Sequence, residues 1–451
     1  MTFKKKVLAL LALALPLGAY AQTAATDTLR LSREECISIA LQDNPTIHVA
    51  DLEVKRVDYS KKEVLANLFP SIDFSVAYQR SIELQTINMN MGGQSQKIKM
   101  GMDNMWNMGF QASMPLVNAT LWKSIHISDT QILESLESAR ASKLDMVNNV
   151  NKAYYALLLA IASRDVIKQN YEIAKLNAEV FKKQYEQGTA SEYDVLRSSV
   201  QVTNVEPELL QADISVRQCQ LQLKVLMGID SAVELMPNIT LKQMQSDMFG
   251  QTVGLNRSLS NNTSLRSLDI QTKMARQNLQ MKKFAWIPTL AATFNINWNS
   301  ISNGNALKNQ EFNPYSTVGL ALQVPIFSGG SKYYGVKQAQ VQLKELEFQR
   351  ENLVSSLNMQ VDLAIDNINK QVKQIAASED GVRQAAKAYE IMQKSFEIGA
   401  ATYLNLRDSE LANTQAQLAY LQSIYNYLIS TSELDMLLGK DETISNVTPQ
   451  S

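Results

Sequence analysis

The sequence predicts a mainly helical protein that also carries four membrane-suited strands, built as a duplicated helix-strand-strand-helix-helix unit. Three observations carry this reading. The 451 residues include only 10 prolines, with none between Pro115 and Pro207 or between Pro325 and Pro449. Both stretches are rich in Ala, Leu, Gln, Lys and Glu and suit very long helices. Four shorter segments alternate apolar and polar residues, and the two halves of the chain match one another in order.

Composition excludes several classes. The 43 basic and 44 acidic residues nearly cancel, so no basic surface for nucleic acid is indicated. His48, His126, Cys36 and Cys219 lie singly along the chain, which gives neither a metal cluster nor a Cys/His dyad. Sequence spacing leaves open whether Cys36 and Cys219 pair. No convergent nucleophile or acid/base set appears, so an enzyme is not expected, and no cofactor motif is present.

Residues 1–21 read as an export signal: Lys4, Lys5 and Lys6, an apolar run from Val7 to Leu17, and Ala19-Tyr20-Ala21 as the cleavage site. Its removal takes the formal charge from −1 to −4. No later stretch reaches the ~18 apolar residues of a spanning helix, so the exported chain is either soluble or enters a membrane as strands.

Residues 41–79 align without a gap on 259–297, with Leu41/Leu259, Asn44/Asn262, Asp51/Asp269, Lys55/Lys273 and Pro70/Pro288 identical. Further matches follow in order: Met114-Pro115-Leu116 with Val324-Pro325-Ile326, Tyr185-Glu186-Gln187-Gly188 with Phe396-Glu397-Ile398-Gly399, and Leu226-Met227-Gly228 with Leu437-Leu438-Gly439. The expected organisation is therefore a repeat over 32–228, a linker over 229–252, a second repeat over 253–439, and a tail over 440–451.

Within each repeat the first helix runs to a proline. Ser32 and Glu35 form a capping-box pattern, and Pro70 and Pro288 end the first helices. Strands are expected over about 70–82, 106–116, 288–299 and 316–327, each with one apolar face, as in Ile72, Phe74, Val76 and Tyr78. Their length matches a tilted strand crossing a bilayer, and all four tryptophans, Trp106, Trp122, Trp286 and Trp298, lie in or beside them as an interfacial girdle would. Four strands cannot close a barrel, so at least two copies must share one.

The long helices follow, over about 124–187 and 331–398. In the second, Leu353, Leu357, Val361, Ala364, Ile368, Val372 and Ile375 form a seam with an 11-residue period, which implies straight to slightly right-handed packing. Nearer the C-terminus, Leu411, Leu418, Leu421, Tyr425 and Leu428 follow a heptad-like seam. Gly188 and Gly399 suit left-handed helix ends, Ser191 and Thr402 suit the next N-caps, and Pro207 predicts a kink in the return helix.

These features together resemble the TolC-type outer-membrane efflux protein family. The resemblance rests on Asn44-Pro45, Pro70 and Pro288, the stretch Pro325-Ile326-Phe327-Ser328-Gly329-Gly330, and the tips from Gly188 to Leu196 and from Gly399 to Asp408. It implies a homotrimer with a 12-stranded barrel in outer-membrane lipid and a coiled-coil helical tunnel in the periplasm. It also implies a periplasmic adaptor and an inner-membrane pump of RND, ABC or MFS type as partners. The chain itself would be a passive exit duct for efflux or type I secretion; the alternative is a secreted structural or adhesive coiled coil. The family's gate positions fall on Asn405 and Asp408, of which only Asp408 is acidic here. The adaptor-contact candidates are Gly188, Ser191, Asp194, Val195, Gly399, Thr402 and Leu406. Met89, Met91, Met100, Met102, Met105 and Met108 crowd the first, longer strand loop. Thioethers can bind Cu(I) or merely fill an apolar face.

Overall fold

A computed structural model describes residues 28–91, 94–229, 234–249, 257–306 and 310–440. The export signal, residues 230–233 and 250–252 of the linker and almost all of the tail lie outside the described residues. The first half comprises β1 (Thr28–Leu31), α1 (Arg33–Asp43), α2 (Pro45–Ala66), β2 (Ser71–Arg80), β3 (Gln85–Met91), β4 (Gln94–Met100), β5 (Asn104–Val117), α3 (Ala119–Glu186) and α4 (Glu192–Met227). After it come β6 (Glu234–Pro237), α5 (Leu241–Phe249), α6 (Thr263–Phe284), β7 (Thr289–Ser302), β8 (Asn313–Gln323), α7 (Ser331–Glu397) and α8 (Tyr403–Leu438).

The long helices contain 68 and 67 residues, a reach of ~100 Å each at about 1.5 Å per residue. Beside them the shorter helices stack end to end. The α4 terminus meets the start of α2, and the α8 terminus meets the start of α6, through the same pair of contacts. Asn44 caps α2 and donates through Nδ2 to the Leu226 carbonyl at 2.8 Å; Asn262 caps α6 and donates to the Leu437 carbonyl at 2.8 Å. In both places a glycine in the left-handed region, Gly228 or Gly439, closes the incoming helix.

Side by side, α2/α4 packs on α3, α3 on α6/α8, and α6/α8 on α7. The sheet at one end repeats that order as β2-β5-β7-β8, all antiparallel, because each strand continues from its own helix. Substantial packing of α7 on α2 or α4 is absent among the described residues. The chain is thus an open wall with β2 and α2/α4 at one edge and β8 and α7 at the other.

The core lies midway along the helices. Tyr154, Tyr155 and Leu157 of α3, Ile37 of α1, Leu223 and Met227 of α4, Leu235 of β6, Leu241 of α5 and Ile424 and Tyr427 of α8 are all essentially inaccessible. The Tyr154 hydroxyl donates to the Leu31 carbonyl and Arg33 donates to the Tyr155 hydroxyl, so both phenols are satisfied in the interior. Across the seam between halves, Ser432 donates to Asn148 Oδ1 at 2.9 Å and Asn151 donates to Ser432 at 3.2 Å. Cys36 and Cys219 are free thiols, and burial pushes the Cys36 thiol up to about 12.

Five expectations are corrected. The first helix is broken: Asn44 has extended geometry (φ −71°, ψ 126°) and caps a new helix with Pro45 at its first position. The stretch after Met227 is more than a linker, since β6 pairs in parallel with β1 and α5 follows. The last strand ends at Gln323, short of 327, where Pro325 cannot donate to a ladder. A separate β3–β4 hairpin fills the first strand loop. The α8 seam is displaced in part: Leu421 and Leu428 of the expected seam are buried, but Leu411 is exposed, and Leu406, Glu410 and Ile424 are buried instead. In α7, by contrast, Leu357, Val361, Ile368 and Ile375 of the expected seam are buried, and Pro207 sits inside an unbroken α4.

The helix-stacking glycines differ from the tip glycines in one testable way. A Cβ on Gly439 would collide with the Asn261 carbonyl oxygen, whereas one on Gly188 meets nothing, and both residues have positive φ. Gly188→Ala should cost about 1 kcal/mol, from backbone strain alone. Gly439→Ala should cost several-fold more, measured as loss of helical signal in thermal melts. Equal losses would contradict this account of the junction.

Candidate functional site: the two-faced sheet and the helical tips

The sheet register sorts its residues cleanly. Phe74 faces Phe110, which faces Ile296; Ile72 faces Ala112, then Phe294 and Val318; Tyr78 faces Trp106. These, with Val76, Met108, Trp298, Leu290, Leu320 and Leu322, form one apolar face. Aromatic rings tie it together, with centroids 4.7 Å apart for Phe74–Phe110 and 4.6 Å for Tyr78–Trp106. The opposite face carries Ser75, Asn107, Gln111, Thr293, Asn295, Asn297, Asn299 and Thr317, and Asp73 is the charged side chain among them. Much of the apolar face is exposed, including Ile72 at 71%, Val318 at 84% and Leu320 at 72%. No soluble sheet leaves such a surface uncovered.

The tryptophans occupy two levels. Trp122 lies in the first turn of α3 and Trp286 in the turn after α6, both at the helix end of the sheet. Trp106 and Trp298 lie toward the other end, where Trp106 Nε1 donates to the Ala306 carbonyl at 3.0 Å. From Thr289 to Trp298 is nine steps along β7, or ~23 Å of height for a strand tilted by about 40°, close to the apolar band of an outer-membrane barrel. Beyond this band the hairpin register puts Met89 and Met91 near its tip, while Met100 pairs with Gln85 at its base. Four rungs separate the backbone of Met89 from the Met100 rung, ~13 Å along the hairpin.

At the far end of the helices the two tips share one geometry. Gly188 (φ +75°) and Gly399 (φ +76°) end α3 and α7, and the Thr189 and Ala400 amides reach back to the Gln184 and Ser395 carbonyls, each at 2.8 Å. The next helices are capped by Ser191 and Thr402. Ser191 Oγ donates to Asp194 Oδ2 at 2.6 Å and accepts from the Asp194 amide at 3.2 Å, so Asp194 is engaged in a capping box. Gly188, Ser191, Gly399 and Thr402 are exposed. Leu406 is buried and Val195 half-buried: they hold the tip together. Phe181 of α3, Phe396 of α7 and Tyr403 of α8 close this cluster, with Phe181–Tyr403 centroids 4.8 Å apart, edge to face. Asn405 and Asp408 both face solvent, three residues apart at the start of α8.

Two residues beyond Asp408 lies a group that the sequence reading missed. Glu410 is buried at 8% exposure, and its Oε1 has no hydrogen-bond partner. It occupies the α8 seam position between Leu406 and Asn413, near Tyr389 and Tyr403. Burial pushes its carboxyl up to about 7, against a smaller opposing pull from Arg407. The signal was present in the spacing of Tyr403, Leu406, Glu410, Leu421, Ile424 and Leu428, but a charged residue is not ordinarily assigned to a seam.

A two-faced sheet standing at the end of ~100 Å helices defines a membrane channel with a long helical extension. The family model for outer membrane efflux proteins matches the chain twice, over residues 36–229 and 254–440, and the chain belongs to that family. It is 22% identical over 371 residues to the outer membrane protein TolC of Vibrio cholerae, covering 81% of this chain and 84% of that one. Its fold matches the Campylobacter jejuni CmeC outer membrane channel with a TM-score of 0.72 at 16% identity, over 98% of this chain and 97% of that one. It likewise matches the outer membrane protein VceC of Vibrio cholerae with a TM-score of 0.70 at 16% identity, over 90% and 96% of the two chains. The protein is thus an outer-membrane efflux protein of the TolC-like class, and its relatives are outer-membrane transport channels.

Glu410 makes tip stability depend on pH. Its folded carboxyl titrates near 7, above the usual carboxylate range, so between about 4.5 and 7 the folded state holds a proton that the unfolded state has released. Stability should therefore be greatest below that window, fall as pH rises through it, and level off above. Glu410→Gln should flatten this dependence in melts of the helical domain at pH 5 and pH 8. An unchanged difference between the two pH values in the variant would rule the assignment out.

Proposed function

We propose that the chain forms a homotrimeric outer-membrane duct, the exit of a tripartite efflux or type I secretion system. The observation that carries this is the four-stranded sheet with one apolar face, one polar face and two open edges. Three copies give a barrel of 12 strands without free edges, lipid on the apolar face and a polar lumen. The helical wall needs the same closure. Leu196, Val200, Leu210, Ile214, Leu221 and Val225 expose an apolar stripe along α4, and Val341, Phe348, Met359 and Leu363 are exposed along α7, on the other edge. A neighbouring copy covers both. A secreted structural coiled coil would leave the sheet face in water.

In this reading the tips meet a periplasmic adaptor through the exposed Gly188, Ser191, Gly399 and Thr402, and an inner-membrane pump supplies the energy. The duct is passive and gated at its periplasmic end. Three copies of Asp408 place a ring of carboxylates at the entrance, and Asn405 leaves a second ring neutral. The cargo is selected upstream, by the pump.

Planar-bilayer conductance tests the reading. The purified protein should form stable pores, and Asp408→Asn should weaken block by a multivalent cation by about tenfold, whereas Asn405→Asp should strengthen it. Pores whose block responds to neither substitution would place the gate elsewhere, and the absence of pores would reject the duct itself.

A further inference from the structure

The helix–strand junctions carry a charge distribution that duct function alone does not require. In the four stretches on the helical side of the strands, 61–70, 118–127, 279–288 and 324–337, there are seven lysines and one acidic residue, Glu63. At the opposite end, the described residues of 80–104 and 299–313 hold three basic and three acidic residues. The chain as a whole is nearly neutral, so the excess is local to one end of the membrane band.

Internal ion pairing accounts for two of the seven. Lys61 meets Asp129 at 2.8 Å and Lys62 meets Asp58 at 2.7 Å. Lys123, Lys282, Lys283 and Lys337 form no ion pair among the described residues, and Lys332 donates to the Ala285 carbonyl at 2.6 Å. Lys282 and Lys283 sit in the last turn of α6, where a cation complements the helix dipole. The same argument fails for Lys123, Lys332 and Lys337, because they lie in the first two turns of α3 and α7, where positive charge opposes the dipole and no acidic residue occupies the first turn. Aromatic groups share the level: Lys332 Nζ lies 5.6 Å from the Trp286 ring centre, and Lys337 Nζ lies 5.8 Å from that of Tyr333. Ammonium groups beside interfacial aromatic rings, directly below an exposed apolar face, match the headgroup layer of a bilayer in both position and sign.

We infer that this belt is a binding surface for anionic phospholipid headgroups in the membrane leaflet facing the helices. The inference rests on the sheet being the membrane-spanning part. Three copies of the belt would surround the barrel with lysines, anchoring its height in the bilayer and selecting the lipids against it.

The test uses the whole protein reconstituted in bilayer discs of nine parts phosphatidylcholine to one part phosphatidylglycerol. Lipid retained after mild detergent extraction is quantified by mass spectrometry. Phosphatidylglycerol should be enriched about fivefold over its bulk share, with the enrichment falling as salt rises. Substituting Lys123, Lys282, Lys283 and Lys337 together by Gln should return the ratio to near bulk, and the matching Lys→Arg variant should retain the enrichment. Bulk-ratio lipid in the unsubstituted protein, or full enrichment in the Gln variant, would overturn the proposal. If the Gln variant does not assemble, single Gln substitutions should each lower the enrichment, and no change in any of them would also overturn it. Pore conductance in pure phosphatidylcholine separates the two levels: without pores the membrane reading fails, whereas pores without enrichment sink only the lipid surface.

Discussion

Backbone groups in hydrocarbon must be hydrogen-bonded within protein, and the rest of this architecture depends on that constraint. A four-stranded sheet satisfies its two inner strands and leaves one side of β2 and one side of β8 unpaired. In water such edges would be an aggregation hazard; in lipid each unpaired group costs several kcal/mol. Because every strand adjoins a helix of its own, closing the proposed barrel would also bring the outer helices α4 and α7 of adjacent copies together. The exposed apolar stripes on those helices are the soluble counterpart of the open strand edges.

Much of this was legible in the sequence, because two kinds of residue report directly on backbone geometry. Pro70, Pro115, Pro288 and Pro325 mark junctions between helix and strand, and Gly188, Gly228, Gly399 and Gly439 take the left-handed ends of helices. The alternation in the strands showed which residues share a face, and the register bears it out rung by rung for Phe74, Phe110 and Ile296. The resemblance to the efflux family rested on some of these residues, among them Pro70, Pro288, Pro325, Gly188 and Gly399.

What was not legible depends on contacts far apart in sequence. The break at Asn44 exists because its side chain serves two masters, capping α2 and holding the end of α4, 182 positions away. The β1–β6 pair is parallel and joins the two sides of a whole repeat, which no local pattern announces. At the tips, exposed turn residues and buried seam residues alternate within a few positions, so Leu406 and Thr402 looked alike in sequence but play opposite parts. Glu410 shows the reverse failure: a charged residue placed in a seam, where burial holds its proton and couples the packing of the entrance region to pH.

Closure between copies is the central claim, and cross-linking at the strand edges tests it most directly. Single cysteines in β2 at Asp73, Ser75 or Ala77, combined with single cysteines in β8 at Tyr315, Thr317 or Ala321, all lie on the polar face. In native membranes, pairs brought opposite one another should yield dimers and trimers on denaturing gels, while the chain with only Cys36 and Cys219 should stay monomeric. Failure of every pair to cross-link between chains, in membranes that contain the folded protein, would contradict the shared barrel.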